Sequence, residues 1–567
     1  MTKHRFSVIA LAGALAATAA PASAQMQGPE GYGEREDDDG RSSERGAQRR
    51  VEVTPYIEAG QVLLQEISPG SDTVTYTQVG AGVDAAVNTR STQGSASLRY
   101  EHQFGWDGVS DRDNVTGVAR VATQVVPGSV QFDAGVLAAQ SRVSSEGQLT
   151  LNGLDDRDLT SNVYTAYAGP TVRGRIGEAD ASANYRIGYT RVDSPDAVAF
   201  DDTGTARAID VFDESVAQSA QANIGFQPGE YLPVGLGVGA GYYQEDISNL
   251  DQRVRDMFVR GDVTVPVADA LAVVAGVGYE KVEVSSRDAV RDMAGVPVLD
   301  ADGSFIVDDS VPRTIAYETD GIIYDVGVVW RPSNRTALEA HVGRRYDSTT
   351  YYGSFAWAPN RNESVTVGVY DAVSGFGGRL NSAVANLPTD FEATRNVITG
   401  DMTGCLGAEP DGRASTTQAC IPGAFGSIRS AVFRNRGVAM NYARKVGRTT
   451  SAGLGAGYDR RTFFAAPGTV LEAAADAADE NIWANAYLGG EIDRRSSFST
   501  NLYANWLRSG FAQDGDAVNV GANAAYRRFL TRALVATAAL GVDGVDADAL
   551  PEDVWTTSAA LGLRYQF

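Results

Sequence analysis

Two cysteines and three histidines are spread over 567 residues. So few thiols exclude a disulfide-built scaffold and a four-cysteine metal site. One of the histidines, His4, belongs to the leader, which leaves His102 and His341 for any histidine-based constellation. There is also no basic excess. Lys and Arg number 48 against 71 Asp and Glu, and the net charge of −23 argues against a nucleic-acid partner. Long apolar runs are missing downstream of the N-terminus, where none approaches the ~18 residues of a membrane helix. What the chain has instead is 62 glycines and 24 tyrosines with 43% hydrophobic residues. That composition suits a glycine- and aromatic-punctuated β protein.

Residues 1–24 read as a cleaved signal peptide. Lys3, His4 and Arg5 form a basic start, Val8 to Ala20 is a short apolar run, and Ala22-Ser23-Ala24 is a cleavage site. The mature chain is expected to begin at Gln25 and to carry a charge of about −25, since Lys3 and Arg5 are lost. Residues 25–50 are a polar Gly/charged tail with almost no apolar content and are expected to be disordered on the periplasmic side. Its Asp37-Asp38-Asp39 reads as a solvated charge run.

From Val51 to Phe567 the pattern has period 2, the mark of strands with two unlike faces. In Leu271–Glu280, Leu271, Val273, Ala275, Val277 and Tyr279 alternate with a face that ends in Gly276, Gly278 and Glu280. Phe498–Trp506 and Val518–Tyr526 repeat it, with asparagines on the second face. The beat runs on without linkers, which a string of soluble sandwiches of about 100 residues each would not do. About 22 segments can be counted (range 18–24), the first near Val51 and the last near Asp553. Glycine-alternating pieces such as Gly235–Gly241 and Gly453–Gly457 line a strand face and are not nucleotide loops, which need a strand, a turn and a helix.

Connections alternate between short turns and long loops, as in a transmembrane antiparallel β-barrel. Five long loops, at 145–160, 193–214, 286–320, 377–427 and 463–480, carry −20 between them. Five short turns, at 331–335, 359–363, 445–449, 493–496 and 527–532, sum to +8. An even strand number with both termini in the periplasm puts every long loop outside. The fold expected is therefore all-β, one barrel over residues 51–567 without a plug domain, in the outer membrane.

The last strand presents Trp555, Thr557, Ala559, Leu561, Leu563, Tyr565 and Phe567 on one face and ends on an aromatic carboxy-terminus. This resembles the terminal strand of outer-membrane barrels. That resemblance implies that Tyr565 and Phe567 are an assembly signal and that the barrel assembly machinery is a partner. The tail followed by Val51-Glu52-Val53-Thr54-Pro55-Tyr56-Ile57-Glu58, then Arg99-Tyr100-Glu101-His102 and Phe104-Gly105-Trp106, resembles a group of large porin-like outer-membrane proteins of Gram-negative bacteria. Chains of that group are often labelled a preprotein translocase accessory subunit. Such a label implies a small inner-membrane protein with one helix, which nothing in this sequence supports. Val51–Pro55 also loosely resembles the energy-coupling box of active outer-membrane transporters. In those a plug domain follows the box, whereas here a strand follows at once.

Strand phase puts Asp84, Arg99, Glu101, Arg186, Glu280, Asp325, Glu339, His341, Arg345 and Arg564 on the small, polar face as candidate pore-lining residues. Five acids against four arginines give no strong selectivity. His102 falls instead on the apolar face. A lone inward His among Glu and Arg fits a lumen network better than a catalytic set, so no enzyme, cofactor or metal site is expected. Cys405 and Cys420, in the longest loop of an exported chain, are expected to form a disulfide. The reading that follows is a passive channel for small solutes. Its wide lumen would be narrowed by inward loops, with 377–427 and 286–320 the best candidates. The rival reading is a structural or adhesive surface protein. The expected partners are outer-membrane lipid, lipopolysaccharide and small solutes, with no nucleic acid.

Overall fold

A computed structural model of the chain describes residues 50–106, 111–141, 161–193, 198–200, 206–208, 211–300, 304–391, 398, 428–511, 515–548 and 552–567. The expected signal peptide, nearly all of the tail, and Cys405 and Cys420 lie outside these residues. Twenty-two strands form one antiparallel sheet in which each pairs with its neighbours in sequence. The first, Arg50–Ser68, pairs with the last, Val554–Gln566, from Tyr56 opposite Gln566 to Ser68 opposite Trp555, so the sheet closes on itself. A closed barrel has no free edge, as strands that cross a bilayer require. The count of about 22 strands holds, and the first and last strands begin one residue from Val51 and Asp553.

Val51–Pro55 lies inside the first strand, paired with Val83–Val87, and Val51 and Val53 point outward. The stretch is wall, not a free box. Connections at the end that holds both chain termini are two to eight residues long. Those at the other end include 287–313 and 375–432, together with some short ones, notably the two-residue turn at Tyr346 and Asp347.

The outer face carries the apolar side chains, with Ile322 and Leu561 each 69% exposed. In water such a surface would be a liability, and in a bilayer it is the required band. The inner face holds the small and polar partners of the alternation. Among the described residues no helix is long and apolar enough to cross a membrane.

The expectation of a wide lumen narrowed by loops needs correction in one respect. The barrel is filled in its outer half by a true hydrophobic core. Helix α1, Phe376–Ala385, follows the strand Glu363–Ser374 and turns inward. Phe376, Leu380, Val384 and Leu387 are fully buried, in one cluster with wall residues Leu137, Val163, Val192, Ile247, Val254 and Val282. Each such side chain contributes about 1.5–3 kcal/mol by leaving water. Ser95 donates to the Thr389 carbonyl at 3.0 Å, and Ile398 packs against Val62, Tyr76, Ala525, Ala539 and Ala560. Loop 286–320, the other candidate, stays outside: Met293 is fully exposed, and Ala289 packs with Leu250, Phe433, Phe463 and Leu471 at the outer rim.

Candidate functional site: a closed lumen

Helix α1 is ten residues long, too short to be stable alone. Its N-cap is Gly375, which has no side chain to satisfy the first backbone N–H groups. The barrel wall supplies the missing acceptor. The Glu245 carboxylate, fully buried, accepts the Gly375 N–H at 2.7 Å and the Gly378 N–H at 2.8 Å. Ser215 Oγ and Tyr243 Oη donate to the same carboxylate at 2.9 and 2.7 Å. A negative charge at a helix N-terminus is also favoured by the helix dipole.

Two glycines make this approach possible. A Cβ on Gly378 would lie 1.8 Å from Tyr243 Oη, and one on Gly188 of the wall 2.3 Å from Asn381 Oδ1. In the space left by Gly188, Asn381 Nδ2 donates to Thr190 Oγ1 at 3.0 Å and Thr165 Oγ1 donates to Asn381 Oδ1 at 3.1 Å. On the far side of the helix, Arg379 lies 3.6 Å from the buried Asp459 carboxylate.

Further out, the returning chain forms a second layer. The Phe212 N–H donates to the Ile428 carbonyl at 2.9 Å, Gln252 Nε2 to the Ser430 carbonyl at 3.1 Å, and the Phe464 N–H to the Val432 carbonyl at 2.8 Å.

On the periplasmic side of α1 the wall is charged, and the candidates from strand phase sort into clusters. Asp325, Glu339 and His341 meet: His341 Nδ1 is 3.1 Å from Asp325 and Nε2 3.2 Å from Glu339, with its ring stacked on Tyr352. Arg260 holds Asp325 through two bonds of 2.9 and 2.8 Å. Glu280 and Arg345 pair at 2.8 Å, and Arg345 also reaches Asp256 at 2.7 Å. Arg345 is therefore not part of the His341 group. Arg99 bonds Glu101 and Glu58, and Arg564 bonds Asp84. Arg186 lies over the Tyr167 ring at 5.1 Å, beside the Arg120–Asp133 pair. Pairing each guanidinium with a carboxylate offsets part of the desolvation cost that a lone buried charge would carry. A cavity of about 370 Å³ opens among these groups, lined by Arg173, Arg260, Asp262, Glu339, His341 and Tyr352.

Tyr565 and Phe567 lie on the outer face, in ring contact at 5.1 Å, and the Phe567 N–H donates to the Pro55 carbonyl at 3.0 Å. His102 bonds Asp113 near the outer end of its strand. Among the described residues no group of three or more His, Cys, Asp or Glu is arranged to hold a metal ion.

Sequence reasoning missed Glu58, Arg120, Asp133, Asp256, Arg260 and Glu245, although each sits on the inner phase of its strand. It also missed α1. The signal was present in Phe376, Leu380, Val384 and Leu387, spaced four, four and three apart.

No protein-family model matches the chain, and no curated protein does. Solved structures match its fold. One is the FrpB iron transporter from Neisseria meningitidis, at 9% identity and a TM-score of 0.41, with 91% of this chain and 82% of that one covered. The ferric-catecholate import receptor Fiu from E. coli K12 aligns at 9% identity and 0.43, with 90% and 81% covered. The siderophore receptor PiuA from Acinetobacter baumannii aligns at 8% and 0.39, with 90% and 82% covered. None of these three bears the translocase label. The expected passive, porin-like channel is corrected here. The lumen is filled by a packed core with its own polar anchors, which an open passive channel would not have.

Proposed function

We propose that the protein is an outer-membrane transport barrel that rests closed and opens when the segment beginning at α1 leaves its seat. The observation that carries this reading is the Glu245 carboxylate, buried in the wall and bonded to the first turn of the helix. A permanent structural filler could be held by apolar packing alone. Here the anchors are polar groups that water or a solute can replace. The charged cavity on the periplasmic side of α1 suits small polar solutes once the segment withdraws. The ten inner-face residues named above then line the route. The leader 1–24 and the tail 25–50 belong to the same reading, with a mature envelope protein that starts at Gln25.

Liposome swelling tests it. Wild-type protein should admit small sugars slowly. Replacing residues 376–391 by a short Gly/Ser linker should speed entry at least tenfold, with folding checked by the heat-dependent shift in gel mobility. Equal rates for the two folded proteins would sink the proposal.

A further inference from the structure

The outer half of the wall has a slot. Tyr346 and Asp347, both with positive φ of 54° and 51°, turn the chain tightly between Thr336–Arg345 and Ser348–Asn360. This hairpin is short beside its neighbour Thr314–Ser333, which has 20 residues. On its other side, Ser348–Asn360 pairs with Glu363–Ser374 only as far as Gly353 opposite Val369. Beyond that pair the two strands part.

Two arginines of the next strand, Phe433–Val446, reach across the opening. Arg434 grips the Asp371 carboxylate through bonds of 2.7 and 2.6 Å, and Arg436 approaches it to 3.3 Å. Arg436 Nη2 also donates to Ser348 Oγ at 2.8 Å and to the Thr349 carbonyl at 2.9 Å. One fully buried carboxylate between two guanidinium groups leaves one positive charge in excess. Arg460, half-exposed, stands next in register. Its acidic partner Glu480, at 3.7 Å, is shared with Arg508 at 3.9 Å. Tyr351 and Tyr458 complete a groove of about 710 Å³.

The strands that follow each show where their apolar outer face ends. Arg436, Arg460, Glu480, Arg508 and Asp516 stand opposite one another across five strands. The rank two residues nearer the periplasm is Val438, Tyr458, Ile482, Trp506 and Val518, on the same outward face. On each strand a charge thus stands just outside an apolar or aromatic side chain, four of the five exposed and Tyr458 half-buried, as at the outer boundary of a bilayer.

We infer that the slot seats a phosphorylated lipid of the outer leaflet. Its phosphate bonds Arg436 and Arg460, and its acyl chains lie along Val438, Tyr458 and Val369. Arginine forks suit phosphate oxygens. The charge excess would draw any anion, but only a lipid also covers the apolar rank below. The site is on the outside of the wall and does not depend on how the lumen opens.

Native mass spectrometry of the folded protein in an uncharged detergent tests this, with diphosphorylated lipid A as the probe and dioleoylglycerol as the uncharged comparison. Wild type should hold one lipid A and no dioleoylglycerol. Arg436→Gln with Arg460→Gln should weaken binding at least tenfold. Arg460→Gln alone, which leaves the Asp371 group intact, should weaken it severalfold. Arg444→Gln, on the same strand near the periplasmic end, should change nothing. Pyrophosphate at the same concentration should not displace the lipid. Undiminished binding by the double variant, equal loss in the Arg444 variant, equal retention of dioleoylglycerol, or displacement by pyrophosphate would each overturn the assignment.

Discussion

Glu245→Ala should open the barrel without unfolding it. The substitution removes the acceptor for two backbone N–H groups and two hydroxyls, all within 2.9 Å of one buried carboxylate. A buried donor left unpaired costs about 1–3 kcal/mol. Ser215 and Tyr243 belong to the wall and lose their bond in both states, so only the two helix N–H groups count; with water entering the space made by the lost side chain, they lose about 3 kcal/mol together. At ~1.4 kcal/mol per tenfold, the seated state of α1 should lose about a hundredfold in population against the withdrawn state. The ladder of 22 strands is untouched, because Glu245 points inward and its backbone pairs with Ala217 and Val254 whatever side chain it carries. Glu245→Gln, which keeps one acceptor oxygen, should lie between. The assay is single-channel recording in a planar bilayer, with the open fraction as the readout. Glu318→Ala, a change at a half-exposed outer-strand carboxylate, serves as the control. Unchanged open fraction in folded Glu245→Ala protein would refute the reasoning, because the helix would then be held by something other than this carboxylate.

Gly188→Val should unseat Asn381, since even a Cβ there would lie 2.3 Å from its Oδ1; limited proteolysis from the periplasmic side should then cut within 376–391, and a resistant segment would count against the seat. Deleting Phe567 removes an exposed aromatic and the N–H that bonds Pro55, so outer-membrane yield should fall severalfold on immunoblots, whereas normal yield would argue against an assembly signal. Cys405 and Cys420 should react with a thiol reagent on intact cells only after reduction, and labelling without reductant would exclude a bridge. At the outer rim, burial works to raise the Asp288 carboxyl, but bonds from Arg291 and from the Val470 and Ala289 N–H groups outweigh it and hold it below its usual value. A depressed acid stabilises the fold above its unfolded value, about 3.9, and that contribution is lost as pH falls through the lower folded value. Pepsin should therefore cut loops 287–313 and 464–477 faster as pH drops from about 4 toward 2, after correction for the pH dependence of pepsin itself, and a flat profile would contradict the link.

Much of the barrel was legible because period 2 is a local signal. Ile322, Tyr324, Val326, Val328 and Trp330 face lipid and Asp325 faces the lumen, as alternation alone dictates. The charges of the loops and turns agree with the same division of the two ends. The lumen contents were not legible in the same way. The helical spacing from Phe376 to Leu387 is visible, but nothing local says that its apolar stripe meets Val163 or Ile247, which lie over a hundred residues away. Likewise alternation puts Glu339, His341 and Arg345 on one face, but the bonds of Arg345 to Glu280 and Asp256 could not be read, because those residues belong to strands that the sequence cannot bring side by side without the register. Reading a porin followed from treating the loops as lining when one of them is core.

The ion pairs of the inner wall also act on the order in which the wall can be built. Arg345 bonds Glu280 of the strand Leu271–Ser286 and Asp256 of the strand Gln252–Ala268, from a strand that is adjacent to neither. A slip of one residue in any of these strands would turn its whole inner row to the lipid. A slip in the strand of Arg345 would turn that guanidinium outward, at a cost of about 0–1 kcal/mol so close to the outer boundary, and leave two buried carboxylates without their cation; a slip in either partner strand would take one carboxylate away from Arg345. Misregistered barrels are thus penalised three strands at a time. The same charges would therefore favour the correct strand alignment during assembly, before any solute has reached the pore.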